Sequence, residues 1–230
     1  MPRISAVLID LYDTLVWTDW PVLRERIEAR AGLSGRALLN GFERTRVARS
    51  VGTYGSLEGD LTEVLKAAGL ERDDALVQEL AGTITTFLES GVHLWEDSLP
   101  ALRDLRASGL RTAVVSNCDH GTGPVVERLG LYEETDAVVL SFEVGVAKPD
   151  PGIYRGALEA LGATAEEAVF VDDQLAYCEG AGSVGIRPFL IAREDRDGGL
   201  VDAPPMSPDP AGGAEVIRDL RALVDRLAES

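Results

Sequence analysis

The fold is decided by Ile4-Ser5-Ala6-Val7-Leu8-Ile9-Asp10-Leu11-Tyr12-Asp13-Thr14-Leu15. Ile4 to Ile9 is a short, mostly apolar run that stops at a carboxylate. It reads as a buried strand of a parallel sheet. Residues 21–91 then carry helical signals only. Pro21 opens one helix and Ser34 can cap the next. Ser56 precedes a stripe of Leu57, Leu61, Val64 and Leu65 that ends at Gly69. Asp73-Asp74 starts a fourth helix, with Leu76, Leu80, Ile84, Phe87 and Leu88 on its apolar side.

After this block the rhythm changes to alternation. Residues 99–107, 124–129, 152–161 and 177–182 read as helices, several closed by glycine. Residues 111–116, 137–140, 168–171 and 188–191 read as strands. The pattern predicts an α/β fold: a Rossmann-like parallel sheet core over residues 1–15 and 93–230, with an inserted helical cap over 16–92. Residues 193–213 hold four prolines and several glycines and read as a mobile loop. Ala214 to Ala228 reads as a closing amphipathic helix.

The chain has 230 residues, 45% of them hydrophobic and 27% charged. That is enough to bury a real core. No apolar run approaches the roughly 20 residues of a membrane span. The opening Met1-Pro2-Arg3-Ile4 has no signal-peptide pattern, so a cytoplasmic location is expected. The net charge of −17 repels a phosphate backbone and argues against nucleic acid. The expected partner is a small-molecule substrate, with no membrane; a homodimer is left open. Cys118 and Cys178 form no disulfide framework and have no zinc spacing. Of 22 bases only Lys66 and Lys148 are lysines, which singles out Lys148.

Polar residues collect at the carboxyl ends of four predicted strands: Asp10, then Ser116 and Asn117, then Lys148 in the loop after the third, then Asp172 and Asp173. Ligands of open α/β sheets bind outside these ends. A single strand-end Asp is explained by helix capping. Four such positions in one crevice are not. Asp10, Asp172 and Asp173 would repel one another, and one lysine does not offset three carboxylates. A divalent hard cation would, and oxygen-only ligands suit Mg²⁺. A carboxylate fixed near Mg²⁺ and Lys is a ready nucleophile for phosphoryl transfer.

These segments carry a resemblance. Asp10-Leu11-Tyr12-Asp13-Thr14-Leu15, Val114-Val115-Ser116-Asn117, Lys148-Pro149-Asp150-Pro151-Gly152-Ile153-Tyr154 and Val171-Asp172-Asp173 with Glu179-Gly180-Ala181 resemble, in order and spacing, the four motifs of the haloacid dehalogenase superfamily, in its branch with a helical cap. The resemblance implies roles. Asp10 would be the nucleophile. Thr14 and Ser116 would hold the transferring group or the nucleophile loop. Lys148 would neutralise charge. Asp10, Asp173 and the Tyr12 carbonyl would bind Mg²⁺. The implied reaction is a Mg²⁺-dependent phosphatase forming an aspartyl phosphate. The alternatives are a metal-free 2-haloacid dehalogenase forming an aspartyl ester, and a degenerate member that only binds.

Two positions depart from the phosphatase pattern. Tyr12 stands where those enzymes usually have an acid for the leaving alcohol. Asp13 is adjacent, where glycine is common, and its side chain is expected to point elsewhere. Tyr177 stands where an acidic residue or Asn often occurs. Tyr12 and Tyr154 are similar to the true dehalogenases, whereas Asp172-Asp173 has the charge of a metal site. Arg44, Arg46 and Arg49 are candidates for a cap arginine, or form a solvated helix face. His120 is a candidate acid, or an exposed loop histidine. Trp17 and Trp20 either line the pocket or pack at the hinge. His93 has no assigned chemistry.

Overall fold

The computed structural model describes residues 3–193 and 213–229. The first strand, β1 (Ala6–Ile9), is wholly buried and leads into a turn and a short strand, β2 (Val16–Thr18). Four helices follow: α1 (Trp20–Ala31), α2 (Gly35–Ser50), α3 (Leu57–Ala67) and α4 (Asp74–Leu88). Ser56 accepts a bond from the Gly59 N–H, and Asp73 accepts from Ala75 and Leu76, so both act as the caps expected of them. Ser34 stands at the start of α2, but its side chain makes no capping bond. The helices share their own core of Leu23, Ile27, Leu38, Leu61, Leu80 and Phe87. Strand β3 (Val92–Leu94) returns antiparallel to β2, with Trp17 opposite His93. The sequence reading has no strands here, because three-residue pairs are too short to set a period.

The rest alternates: α5 (Ser98–Ala107), β4 (Arg111–Ser116), α6 (Thr122–Arg128), α7 (Leu131–Glu134), β5 (Ala137–Leu140), α8 (Ser141–Val144), α9 (Pro151–Leu161), β6 (Ala168–Asp172), α10 (Leu175–Ser183) and β7 (Arg187–Ile191). Asp150 caps α9, Pro151 opens it and Gly162 closes it in the left-handed region. The short helices α7 and α8 are not anticipated. The closing segment also differs from expectation. Glu215–Ile217 is a strand, β8, and helix α11 spans only Leu220–Ala228, capped by Asp219. The expected mobile loop falls almost wholly on residues 194–212, outside the described residues.

The main sheet has the order β5-β4-β1-β6-β7-β8, and all its pairs are parallel. Alternate residues of β1 face opposite layers. Val7 and Ile9 pack with Leu102, Leu105 and Leu223, while Ala6 and Leu8 pack with Ile153, Ala157 and Leu161. The strand order reverses at β1, which puts a crevice at its carboxyl end. Ile9 is level with Val114 on one side and Val171 on the other. Asp10 is therefore level with Asp172 and one residue short of Ser116. This register assembles the site. Among the described residues no helix is long and apolar enough to cross a membrane.

Candidate active site

At the carboxyl end of β1, the Asp10 N–H donates to the Val171 carbonyl, which fixes the residue against β6. The Lys148 ammonium donates to Asp10 Oδ1 at 2.5 Å and to Asp172 Oδ2 at 2.6 Å. Asp172 is fully buried, and its other oxygen accepts the Gln174 N–H. Asn117, at the end of β4, grips the Lys148 backbone. Its Oδ1 accepts the Lys148 N–H at 2.7 Å, and its Nδ2 donates to the Lys148 carbonyl at 2.8 Å. Asn117 thus positions the lysine through its main chain. Asp10, Asp172 and Asp173 each offer an oxygen within 4.8 Å of the others.

The charges do not balance within the cluster. Burial pushes the Asp10 carboxyl up to about 7; Lys148 opposes the rise and Asp172 adds to it. Burial pushes Asp173 up to about 9, reinforced by Asp172, Asp10 and Asp13. Burial alone would lower the Lys148 ammonium, but Asp10 and Asp172 outweigh it and hold its pKa above the usual value. Lys148 therefore stays charged, and the remaining negative charge calls for a proton or a further cation.

Two buried hydroxyls lie close by in the chain, one in the turn after β1 and one at the end of β4. Thr14 Oγ1 and Ser116 Oγ are both buried without a hydrogen-bond partner. A buried hydroxyl left unsatisfied costs about 1–3 kcal/mol, so such groups usually await a ligand or water.

Above the crevice lies a cavity of about 290 Å³ lined by both the sheet end and the helical block. Asp10, Tyr12, Asp13, Asn117 and Asp173 line its floor. Asp13 therefore does not point elsewhere. It takes a φ of 59° in the turn, lines the cavity, and its charge reaches Asp173. The Tyr12 hydroxyl bonds Thr122 Oγ1 at 3.1 Å, and burial raises the phenol's pKa further. Trp20 lines the cavity, but Trp17 stacks on His93 with centroids 4.3 Å apart and does not. Tyr154 is not in the cavity either. It is fully buried against Phe170 and donates to the Tyr177 carbonyl.

His120 is neither exposed nor in the cavity lining. Its Nδ1 lies 2.8 Å from Asp60 Oδ2 on α3. Arg44 is exposed on α2, whereas Arg46 and Arg49 reach the cavity. Arg46 donates to the Tyr177 hydroxyl, and Arg49 pairs with Asp119 at 2.5 Å. Both cysteines are free and buried, and burial pushes the Cys118 thiol up to about 12, which makes it unreactive.

One supporting contact is absent from the sequence reading. Arg193 donates twice to the Thr14 carbonyl and pairs with buried Asp97 at 2.8 Å. It anchors the loop after Asp10 from 179 residues away, and no local pattern signals such a contact.

The profile of the haloacid dehalogenase-like hydrolases matches residues 4–185. A phosphatase of Mycobacterium tuberculosis (strain CDC 1551 / Oshkosh) is 27% identical over 210 residues, covering 86% of this chain and 93% of its own. A glyceraldehyde 3-phosphate phosphatase of Methanopyrus kandleri is 29% identical across 98% of both chains. The L-2-haloacid dehalogenase of Xanthobacter autotrophicus is similar in fold, with a TM-score of 0.69, 23% identity and 99% of both chains covered. The matched profile spans every one of the strand ends described above, and the chain belongs to the haloacid dehalogenase-like hydrolase family.

Proposed function

We propose that this hydrolase is a Mg²⁺-dependent phosphatase of a small phosphorylated metabolite, acting through an aspartyl phosphate on Asp10, with residues 16–92 as its cap. The supporting observation is the close-set trio of buried Asp10 and Asp172 with half-buried Asp173, against the one ammonium of Lys148 that pairs with the first two. Displacement of halide from carbon requires one carboxylate and gives no reason to gather two more beside it. The residues fit both a cation and a phosphoryl group. Three carboxylate oxygens are close enough to share a hard ion, and two orphaned hydroxyls await an acceptor. Asp10, Asp173 and the Tyr12 carbonyl would hold Mg²⁺, which supplies positive charge opposite the phosphoryl oxygens.

In this reading a carboxylate oxygen of Asp10 attacks phosphorus. The ester P–O bond breaks, and the leaving oxygen departs with the bonding pair and takes a proton. Thr14 Oγ1 and Ser116 Oγ donate to the phosphoryl oxygens, and Lys148 holds the nucleophile. Water then attacks the acyl phosphate at phosphorus, the P–O bond to Asp10 breaks, and the proton that the water gives up goes to solvent. Inorganic phosphate leaves, and Asp10 returns as a carboxylate.

Tyr12 is the weak point of the first step. Its hydroxyl is spent on Thr122, and its raised pKa is poorly matched to proton donation near neutral pH. The wild type should therefore be slow on alkyl phosphates and faster on aryl or acyl phosphates. Tyr12→Asp should raise the alkyl phosphate rate selectively, within the roughly 10²–10⁴-fold typical of general acids. The same tyrosine favours the second reading, a dehalogenase, in which halide needs no acid. There Tyr12→Asp should lower the rate. A panel of phosphorylated metabolites and 2-haloacids, each with Mg²⁺ and with EDTA, separates them. EDTA-sensitive phosphate release supports the phosphatase. EDTA-resistant halide release sinks it. No turnover of any compound leaves the binding protein.

A further inference from the structure

We infer that the organic part of the substrate is a flat apolar ring, so that the ester cleaved is an aryl phosphate; this rests on the phosphatase reading above. The cavity has two unlike ends. Its floor is the carboxylate cluster around Asp10, with Tyr12 and Asn117 beside it. Its roof comes from all four helices of the block, with Trp20 of α1, Phe42 of α2, Leu61 and Val64 of α3, and Ile84 and Leu88 of α4. The same helices also contribute Glu43, Arg46, Arg49, Ser50 and Asp60 to the lining, so a phosphoryl group on the floor points its ester substituent toward a mainly apolar wall with a polar margin.

Aromatic geometry narrows the class further. Tyr12 and Tyr177 line the sheet side of the cavity, and Trp20 and Phe42 line the helical side. Trp20 and Phe42 meet edge to face, with centroids 5.5 Å apart and planes at 79°. Rings so placed offer the offset and edge contacts that another ring prefers. The volume, about 290 Å³, is at the small end of ligand pockets and suits a one- or two-ring ester. The two guanidinium groups that reach the cavity are engaged. Arg46 is on the Tyr177 hydroxyl, and Arg49 is on Asp119, Thr45 and the Phe42 carbonyl. The roof thus favours an uncharged substituent over a second anion. An aryl oxide also leaves as the base of an acid with pKa about 10, which relieves the demand for a proton that Tyr12 is ill suited to meet.

The test is steady-state hydrolysis, in Mg²⁺, of 1-naphthyl, phenyl and cyclohexyl phosphate, glycerol 3-phosphate and acetyl phosphate. KM reads the chamber and kcat reads the leaving group. Naphthyl phosphate should have a KM about ten- to a hundredfold below that of glycerol 3-phosphate, as full burial of an apolar group implies. Phenyl phosphate should have a lower KM than cyclohexyl phosphate. Phe42→Ala should raise KM for the naphthyl ester about tenfold more than for glycerol 3-phosphate. Phe42→Leu keeps bulk without the ring and should fall between, which guards against a misfolded alanine variant. Equal KM for the naphthyl and glycerol esters would overturn the inference and leave the phosphatase reading standing. Cyclohexyl phosphate binding as well as phenyl would overturn its aromatic part. Absence of phosphate release from every compound, acetyl phosphate included, would fail the phosphatase reading itself.

Discussion

At Lys148 a buried ammonium, 4% exposed as a residue, is shared by two carboxylates at 2.5 and 2.6 Å. Removing one partner of a buried ion pair costs about 3–5 kcal/mol, because the other charge stays behind. Lys148→Met should lower stability by that order in urea titrations and abolish turnover. Wild-type stability in this variant would show that Asp10 and Asp172 need no counter-charge. Asp10→Asn is gentler, since it keeps the shape and removes only the negative charge. On the proposed phosphatase reading, in which Asp10 is the nucleophile, it should abolish turnover with an unchanged circular dichroism spectrum. The raised carboxyls also set a pH dependence. Asp10 at about 7 and Asp173 at about 9 bind protons more readily folded than at their ordinary 3.8. Protonation then favours the folded state. With no divalent cation, their contribution is complete below about pH 4 and is lost as pH rises through 7 and 9. Mg²⁺ competes with those protons, so its increment in Tm should be larger near pH 9 than near pH 6. An increment independent of pH would remove these carboxylates from the cation site.

Among the elements, β8 and α11 show how local chemistry ends where tertiary contact begins. Ala214 to Ala228 has one amphipathic pattern, yet Glu215–Ile217 pairs with Phe189–Ile191 as an edge strand. The helix starts only where Asp219 accepts the Ala222 N–H and buried Asp97 accepts the Leu220 N–H. Asp219→Ala should cost about 1 kcal/mol in denaturant titrations, the usual worth of an N-cap. Asp97 was not legible as a site support, because its partners Arg193 and Leu220 lie 96 and 123 residues away. By contrast β4 and β5 run over the residues expected, since buried strands announce themselves as short apolar runs bounded by turn signals.

Across the whole molecule, the helical block meets the sheet unit through polar contacts of Arg49 with Asp119, Asp60 with His120 and Arg46 with Tyr177, and through Leu88, which packs against the sheet-side core. The block keeps a separate apolar core and joins the chain through the paired strands β2 and β3. In the proposed phosphatase reading, such a block would act as a cap that closes over a labile acyl phosphate and excludes water. At Gly52, φ is 68° and a Cβ would collide with the Phe142 carbonyl. Gly52→Ala should therefore loosen α2 from the sheet unit, with faster amide exchange in its last turn and slower turnover. Exchange and turnover as in the wild type would show that this contact does not hold the two parts together.

The sequence by itself determined the alternation of strands and helices, the four-helix insertion, and the strand ends carrying Asp10, Ser116, Lys148 and Asp172. Each is a local pattern, set by side-chain period, by glycine and proline, or by a polar residue ending an apolar run. It did not determine which side chains face the cavity. Tyr154 went to the core, Trp17 to a stack on His93, and His120 to Asp60, while Asp13, Trp20 and Arg46 came to the pocket. Those outcomes depend on strand register and on how the helical block is set over the sheet. Both are fixed by contacts between residues far apart in the chain, which no local pattern encodes.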